Sequence, residues 1–75
     1  MRTDSDFDLS QAVQKHDYLV GTRWRHVKGG VYEVLLVALR EADMSLQVVY
    51  RSDATGIAFI RPLPEFMDGR FTQEE

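Results

Sequence analysis

The chain has 75 residues, 44% of them hydrophobic and 28% charged, with a formal net charge of −3 and no cysteine. A chain of this length forms one domain and buries only about 60% of the surface that its unfolded form exposes. The lack of cysteine excludes disulfides, thiolate catalysis and cysteine-based zinc sites, and is typical of a reducing compartment. The longest apolar run, residues 34–39, is far shorter than the roughly 18 residues of a membrane span. We therefore expect a soluble cytoplasmic protein that does not bind membranes.

The charge is unevenly distributed along the chain. Residues 1–17 carry four aspartates against Arg2 and Lys15, and residues 65–75 carry four acidic side chains against Arg70. Residues 18–64, in contrast, carry six basic side chains against four acidic ones. Proteins that bind nucleic acids without sequence preference usually have a basic face and a high isoelectric point. The acidic ends therefore disfavour a long polyanion, whereas a compact anion could still enter a local arginine pocket.

Residues 8–16 predict a short N-terminal helix. One stripe at helical spacing holds Leu9, Ala12, Val13 and His16. The candidates for capping the start of the helix are Asp6, Asp8 and Ser10. The spacing of Asp4, Asp6 and Asp8 is also that of an opening calcium loop, but Leu9 and Lys15 stand where such a loop needs glycine and glutamate. We therefore expect a capped helix here and no metal site.

From Thr22 onward the residues become β-branched, aromatic and alternating, which predicts four strands. The predicted strands cover residues 22–27, 31–40, 46–52 and 57–61. The turns between the later strands are short enough for a meander, and Pro62 and Pro64 end the last strand because proline cannot donate a ladder hydrogen bond. Residues 65–68 could form one helical turn. Residues 70–75 are expected to be frayed or used at an interface.

The pair Gly29-Gly30 predicts a two-residue hairpin turn with positive φ. With that turn His26 faces Glu33, as an acid–base pair or, in the more ordinary interpretation, as a cross-strand ion pair that holds the register. Both faces of the hairpin then carry several apolar side chains, so something must cover the second face. A small curled barrel, with the helix or a second subunit outside, would cover it. We therefore expect a mainly β barrel that forms a homodimer, with residues 66–71 as a candidate segment for crossing to the partner.

Cations and aromatic rings together form the predicted ligand-binding set. Its members are Trp24, Arg25, His26, Lys28, Tyr32, Tyr50, Arg51 and Arg61, with Phe59 as a further ring on which a base could stack. Guanidinium groups bind phosphate or carboxylate through paired hydrogen bonds, and bases stack on aromatic faces. The alternative is purely structural, because aromatics of so small a domain lie mostly in the core and arginine stems cover apolar surface. No serine or threonine lies in a nucleophile elbow or beside a plausible base, so neither an enzyme nor a cofactor is expected.

A resemblance to a known family rests on three segments. They are Arg25-His26-Val27-Lys28-Gly29-Gly30-Val31-Tyr32, Val49-Tyr50-Arg51 and Arg61-Pro62-Leu63, and Phe66 also matches. With them the chain resembles the bacterial and phage domain-of-unknown-function family 1653, which shares an Arg-His-x-Lys-Gly-x-x-Tyr opening and an Arg-Pro-Leu close. It departs from the family at Val27, where phenylalanine is usual, at Phe59, where tryptophan is usual, and in a shorter loop at residues 52–56. The family has no established activity, so the resemblance implies a fold and a motif but no reaction.

The resemblance implies an SH3-like roll of four to five short antiparallel strands over residues 21–67. An N-terminal helical segment at residues 1–20 would precede it, and a C-terminal tail at residues 68–75 would follow. We expect a non-catalytic binding module whose ligand is a compact anion, such as a nucleotide or a nucleotide-derived signal. Its phosphates would meet Arg25, Lys28, Arg51 and Arg61, and a phage origin would make sequestration of a host signal its role. The alternative is a protein or nucleic-acid interaction module that docks through the same barrel.

Overall fold

A computed structural model describes residues 4–74 of the chain, with side chains from residue 8 onward. The helices are α1 (Asp4–Gln14) and α2 (Leu63–Phe66), with a 3-10 turn at Asp17–Leu19. The strands are β1 (Arg23–His26), β2 (Val31–Arg40), β3 (Ser45–Ser52), β4 (Ala58–Pro62) and β5 (Phe71–Glu74). The predicted mainly β fold with a short N-terminal helix is therefore confirmed. No helix within residues 4–74 has the length and apolar character needed to cross a membrane.

The strands form one antiparallel sheet in the order β4-β3-β2-β1-β5. The first four strands are a meander, as predicted, and β5 returns to pair with β1. The sheet is open, with β4 and β5 at its edges. Residues predicted to be frayed or used at an interface thus form β5, which pairs with β1 from Arg23 opposite Glu74 to His26 opposite Phe71. The segment predicted as a tail is part of the β domain.

Helix α1 starts earlier than the sequence pattern predicts. The prediction that Asp6, Asp8 or Ser10 caps the helix is wrong, because all three lie inside α1. Acidic residues are favourable in the first turns of a helix because of its dipole, which is consistent with an earlier start. The helix contributes Val13 to the packing against the core. The aspartates whose spacing resembles a calcium loop therefore belong to a regular helix.

The β1–β2 hairpin has a longer loop and a different register from the predicted ones. Its closing bonds are those from the Gly29 N–H to the His26 carbonyl, at 2.8 Å, and from the His26 N–H to the Gly30 carbonyl, at 3.0 Å. Arg23 is therefore opposite Glu33, and Trp24 is opposite Tyr32. The predicted pairing of His26 with Glu33 is wrong. The shift is three residues, an odd number, so it also exchanges the two faces of β2 relative to β1.

The core lies on one face of the sheet, under the two helices. Its buried apolar residues are Leu19, Trp24, Val34, Val37, Val48, Tyr50, Phe66 and Phe71. Helix α2 places the ring of Phe66 against Phe71, with centroids 4.4 Å apart, and edge-on to Trp24 at 5.3 Å. Burial of such side chains contributes about 1.5–3 kcal/mol each. Phe66 and Phe71 are buried within their own chain, so the segment contributes to the core of its own domain, and its crossing to a partner stays a prediction.

The opposite face, here called the outer face, divides into a charged half and an apolar half. At the β1 side, carboxylates pair with the arginines, as in Arg23 with Asp53 and Arg25 with Glu74. At the β4 side, a cross-strand row holds Leu36, Val49 and Ile60. We expected apolar side chains on both faces of the hairpin. On the outer face they occupy only part of the surface, including the row at the β4 side of the sheet.

Candidate functional site

A cleft of about 350 Å³ opens on the core face of the sheet, beside the β1–β2 loop. It is lined by His26, Lys28, Gly29, Tyr32, Tyr50, Phe59, Arg61 and Phe71. It continues into a more open depression of about 560 Å³, which shares His26, Lys28 and Arg61 and adds Val27, Asp68 and Arg70. Cations and aromatic rings, the two residue classes predicted for a ligand site, therefore converge on this side of the sheet.

Aromatic rings from four strands form one wall of the cleft. Tyr50 on β3 is directly opposite Phe59 on β4, and their rings stack with centroids 5.9 Å apart at an angle of 29°. The ring of Tyr32 is edge-on to Tyr50 at 5.5 Å and to Phe71 at 5.9 Å. Edge-to-face and offset-stacked pairs at these separations are favourable because of the ring quadrupoles. The wall is thus a rigid apolar surface, and Phe59 leaves part of its ring open to solvent.

Arg61 brings a cation to this wall. Its Nε donates a hydrogen bond to the Tyr50 hydroxyl at 3.1 Å, and its guanidinium carbon lies 5.6 Å from the centroid of the Phe71 ring. Such cation–π contacts favour a cation over an aromatic face. Within residues 8–74, no carboxylate lies within ion-pair distance of Arg61. Among residues 8–74, the side-chain hydrogen bond that the guanidinium forms is therefore the one to Tyr50.

The β1–β2 loop supplies two further hydrogen-bond donors. The backbone N–H of Lys28 donates to Nδ1 of His26 at 3.0 Å, and the His26 ring is edge-on to Phe71 at 4.9 Å. A neutral imidazole that accepts at Nδ1 carries its proton on Nε2, so the other ring nitrogen of His26 is a donor. The ammonium of Lys28 forms no ion pair with the carboxylates of residues 8–74. The loop therefore presents donors and positive charge to the cleft.

An ion pair occupies the far end of the depression. Arg70 donates from Nη2 to Asp68 at 2.7 Å and from Nε to the same carboxylate at 3.0 Å. The hydrogen bond from Arg70 holds the pKa of Asp68 below its ordinary value of 3.8, and the more distant charge of Arg61 acts in the same direction. The same pair raises the pKa of Arg70. Because Arg70 is already neutralised, the positive charge available to a ligand lies at the Lys28 and Arg61 end.

The structure brings five of the eight predicted site residues together and separates the other three from them. Trp24 is a core residue, and its indole N–H donates to the Thr22 hydroxyl at 2.8 Å. Arg25 and Arg51 project from the outer face, where Glu74 at 3.1 Å and Glu33 at 3.4 Å neutralise them. Arg25, Arg51 and Arg61 thus do not share a site. The residues that meet at the cleft are His26, Lys28, Tyr32, Tyr50 and Arg61.

The cleft also contains residues outside the predicted ligand-binding set. Phe59 alternates with Arg61 on β4 and so projects from the same face of the sheet. The alternation of side chains along this strand is visible in the sequence, which predicts Phe59 as a ring on which a base could stack. Phe71 had no such signal, because it begins a four-residue strand in a segment predicted to be a tail. Its place in the site depends on the pairing of β5 with β1.

The fold and the cleft together define a small β domain with a cleft lined by cations and aromatic rings. The chain belongs to the family described as protein of unknown function (DUF1653), whose model matches residues 22–74. The suspected resemblance is therefore confirmed, and the match extends over the whole sheet, including β5. No curated protein and no solved structure gives a significant match to the chain. Because the family description names neither a ligand nor a reaction, a proposal of function has to start from the cleft.

Proposed function

We propose that this protein is a non-catalytic binding module for a compact anion with a flat aromatic part, such as a nucleotide or a nucleotide-derived signal. One observation carries the proposal: Arg61 and Lys28, which have no carboxylate partner within residues 8–74, converge on a cleft walled by aromatic rings. The cations would bind the phosphate, and the base would lie against the rings. Binding without turnover would suit a sensor or a sequestration protein.

The distribution of ion pairs supports this assignment of charge. On the outer face, Arg23, Arg25 and Arg51 each lie beside a carboxylate that cancels their charge. At the cleft, Arg61 is instead held by a neutral hydroxyl and an aromatic ring. A guanidinium positioned in this way keeps its full charge and its paired donors for phosphate or carboxylate. We therefore expect an anion to bind at the cleft, where the cations are not neutralised by a neighbouring carboxylate of residues 8–74.

The size and composition of the cleft favour a small ligand over a polymer. Small-molecule pockets typically have volumes of about 300–1,000 Å³ and are mostly apolar with a few polar groups that fix orientation. The cleft, at about 350 Å³, lies at the small end of this range. A long nucleic acid would need an extended basic surface, whereas the charged half of the outer face is neutralised by its own carboxylates.

Calorimetry against mononucleotides, dinucleotides and short oligonucleotides tests the proposal. We expect a mononucleotide or dinucleotide to bind saturably, at a fixed ratio of ligand to protein. The bound ligand should also raise the thermal stability of the protein. Arg61→Lys should weaken this binding, because lysine cannot reproduce the paired hydrogen bonds of arginine. Lys28→Gln should also weaken it, because it removes a positive charge from the cleft. Arg51→Lys, on the outer face, is the matched control and should bind normally.

Two results would overturn the proposal. One is that no compact anion of the panel binds the parent protein. The other is binding of oligonucleotides alone, with an affinity that falls steeply with salt, which would support the interaction module instead.

A further inference from the structure

Strand β4 forms an exposed edge of the sheet. Its side chains are largely exposed, with Ile60 at 64% and Phe59 at 43%, and Ile57 just before it is 55% exposed. Among residues 4–74, β4 pairs with β3 alone. Exposed strand edges present unpaired N–H and C=O groups that can pair with another chain. The edge strand β4 is therefore a candidate interaction surface.

The register determines which backbone groups of β4 are free. The N–H of Ser52 donates to the carbonyl of Ile57 at 2.9 Å, so this pair is a hydrogen-bonded one. Hydrogen-bonded and non-hydrogen-bonded pairs alternate in antiparallel ladders. Phe59 and Arg61 therefore bond towards β3, whereas the N–H and C=O groups of Ala58 and Ile60 point away from the sheet. Pro62 also falls on an outward position, where its missing N–H costs no ladder bond.

The charge pattern favours a second copy of this chain as the occupant of the edge. A two-fold axis places identical residues near each other, so charges along a self-pairing strand repel. Residues 54–60 contain no charged side chain. The other edge, β5, ends at Glu74, and Arg70 and Asp68 precede it. Charged side chains protect natural edges from such pairing, and β4 contains only one, Arg61, which is held at the cleft by its hydrogen bond to Tyr50.

We propose that two copies pair antiparallel through β4, about a two-fold axis at Phe59. In this register Ala58 of each copy is opposite Ile60 of the other, and their outward N–H and C=O groups satisfy one another. The pairing joins the two five-stranded sheets into one continuous sheet. On the outer face, Ile60 would contact the partner's Ala58 and extend the row formed with Leu36 and Val49.

The same register places the partner's Phe59 at the cleft. Phe59 is opposite itself across the axis, and side chains of directly opposed residues have Cβ atoms about 4.5–5.5 Å apart on one face. Because Phe59 already stacks on Tyr50 at 5.9 Å, the partner's ring would extend the aromatic wall. The two clefts would then adjoin on one face of the joined sheet. This consequence for the ligand depends on the proposed function, whereas the strand pairing does not.

Cysteine cross-linking tests the register directly, since the chain has no cysteine of its own. Opposed residues in a non-hydrogen-bonded antiparallel pair have Cα atoms about 4.5 Å apart, within the usual disulfide range of about 4.4–6.8 Å. Phe59→Cys should therefore form a disulfide-linked dimer under mild oxidation. Ile57→Cys is the matched control on the same edge, because the two copies of residue 57 would be about 13 Å apart along the strands.

Light scattering of the unmodified protein provides a second measurement. We expect twice the chain mass of 8.7 kDa, and a loss of the dimer on dilution for Ile60→Lys. Leu36→Lys introduces the same charge on the outer face but on a central strand, and should keep the dimer. A monomer mass at every concentration would overturn the pairing, whatever the protein binds. Cross-linking of Ile57→Cys but not of Phe59→Cys would overturn the register.

Discussion

The Nε of Arg61 donates a hydrogen bond to the hydroxyl of Tyr50 at 3.1 Å, which links strand β4 to strand β3 on the cleft face. The two residues are diagonal neighbours, because Tyr50 is opposite Phe59 and Arg61 is opposite Val48. The bond holds the guanidinium over the ring of Phe71. A long and flexible side chain is thereby positioned by one neutral hydroxyl, and no carboxylate among residues 8–74 lies within ion-pair distance to cancel its charge.

Tyr50→Phe should weaken both folding and ligand binding. Loss of one hydrogen bond costs about 0.5–1.5 kcal/mol of stability, and without it Arg61 is no longer positioned for the ligand. Denaturant unfolding measures the first effect, and nucleotide calorimetry the second. Tyr32→Phe is the control, because the Tyr32 hydroxyl forms no side-chain hydrogen bond to any residue from 8 to 74. Equal affinities for the two variants would show that the hydroxyl does not position Arg61.

Arg25→Lys should leave nucleotide binding unchanged, although Arg25 belongs to the family-like motif. Its guanidinium is exposed on the outer face, 3.1 Å from Glu74, and is therefore remote from the cleft. Exposed ion pairs contribute about 0–1 kcal/mol, so the free energy of unfolding should also change little. Calorimetry and urea unfolding compare the ligand affinity and the stability of Arg25→Lys with those of Arg61→Lys. A similar loss of affinity in both variants would mean that the ligand reaches the outer face.

Phe66→Ala should be severely destabilising. Phe66 is fully buried and contacts the rings of Trp24, Tyr50 and Phe71. Truncation of a buried phenylalanine costs about 3–5 kcal/mol, a large part of the roughly 5–15 kcal/mol that stabilises a typical domain. The midpoint of urea unfolding should fall accordingly. Met67→Ala is the control, because Met67 is exposed at the end of α2 and its truncation should change the free energy of unfolding by no more than about 0.5 kcal/mol. Similar midpoints for the two variants would contradict the burial of Phe66.

Arg70→Gln should raise the pKa of Asp68 towards its ordinary value of 3.8, since the hydrogen bond from Arg70 is the main cause of the lowering. A carboxyl whose pKa is lowered by folding stabilises the native state fully above its unfolded pKa. This stabilisation is lost as the pH falls through the lowered native value. NMR titration of the aspartate carboxyls measures the change.

Asp43 is the internal control for that titration. Its pKa is lowered mainly by the hydrogen bond from the Ser45 hydroxyl, which Arg70→Gln does not touch. We expect the pKa of Asp43 to stay unchanged in Arg70→Gln, while the pKa of Asp68 rises. An unchanged Asp68 would show that its ion pair with Arg70 does not form in solution.

Strand positions were predictable because alternation and β-branched residues are local signals. The four predicted strands agree with β1 to β4 to within a few residues, and β2 agrees at both ends. Helix α1 was also visible from its spacing, although its start was not. Strand β5 was missed because Phe71–Glu74 is too short to show a period. It becomes a strand because the exposed edge of β1 is available to pair with it.

The residues of the site were predictable in type but not in arrangement. The sequence predicted that arginines and aromatic rings would form the site, but the spacing of the motif could not separate Arg61 from Arg25 and Arg51. The separation depends on the registers of β1–β2, β2–β3 and β3–β4, and on the carboxylates that reach the guanidinium groups of Arg25 and Arg51. These are relations between residues far apart in the chain, which local patterns do not encode.

By itself the sequence determined the class of the domain, its family, four of its strands and the cationic and aromatic residue types of the candidate site. Only the tertiary structure decided which side chains meet. The hairpin at Gly29-Gly30 closes with a longer loop, in which the His26 ring accepts a hydrogen bond from the Lys28 N–H. Side chains of a strand alternate between faces, so an odd shift in register moves every one of them to the other side of the sheet. For that reason His26 contacts Phe71 at the cleft, and Glu33 lies beside Arg51 on the outer face.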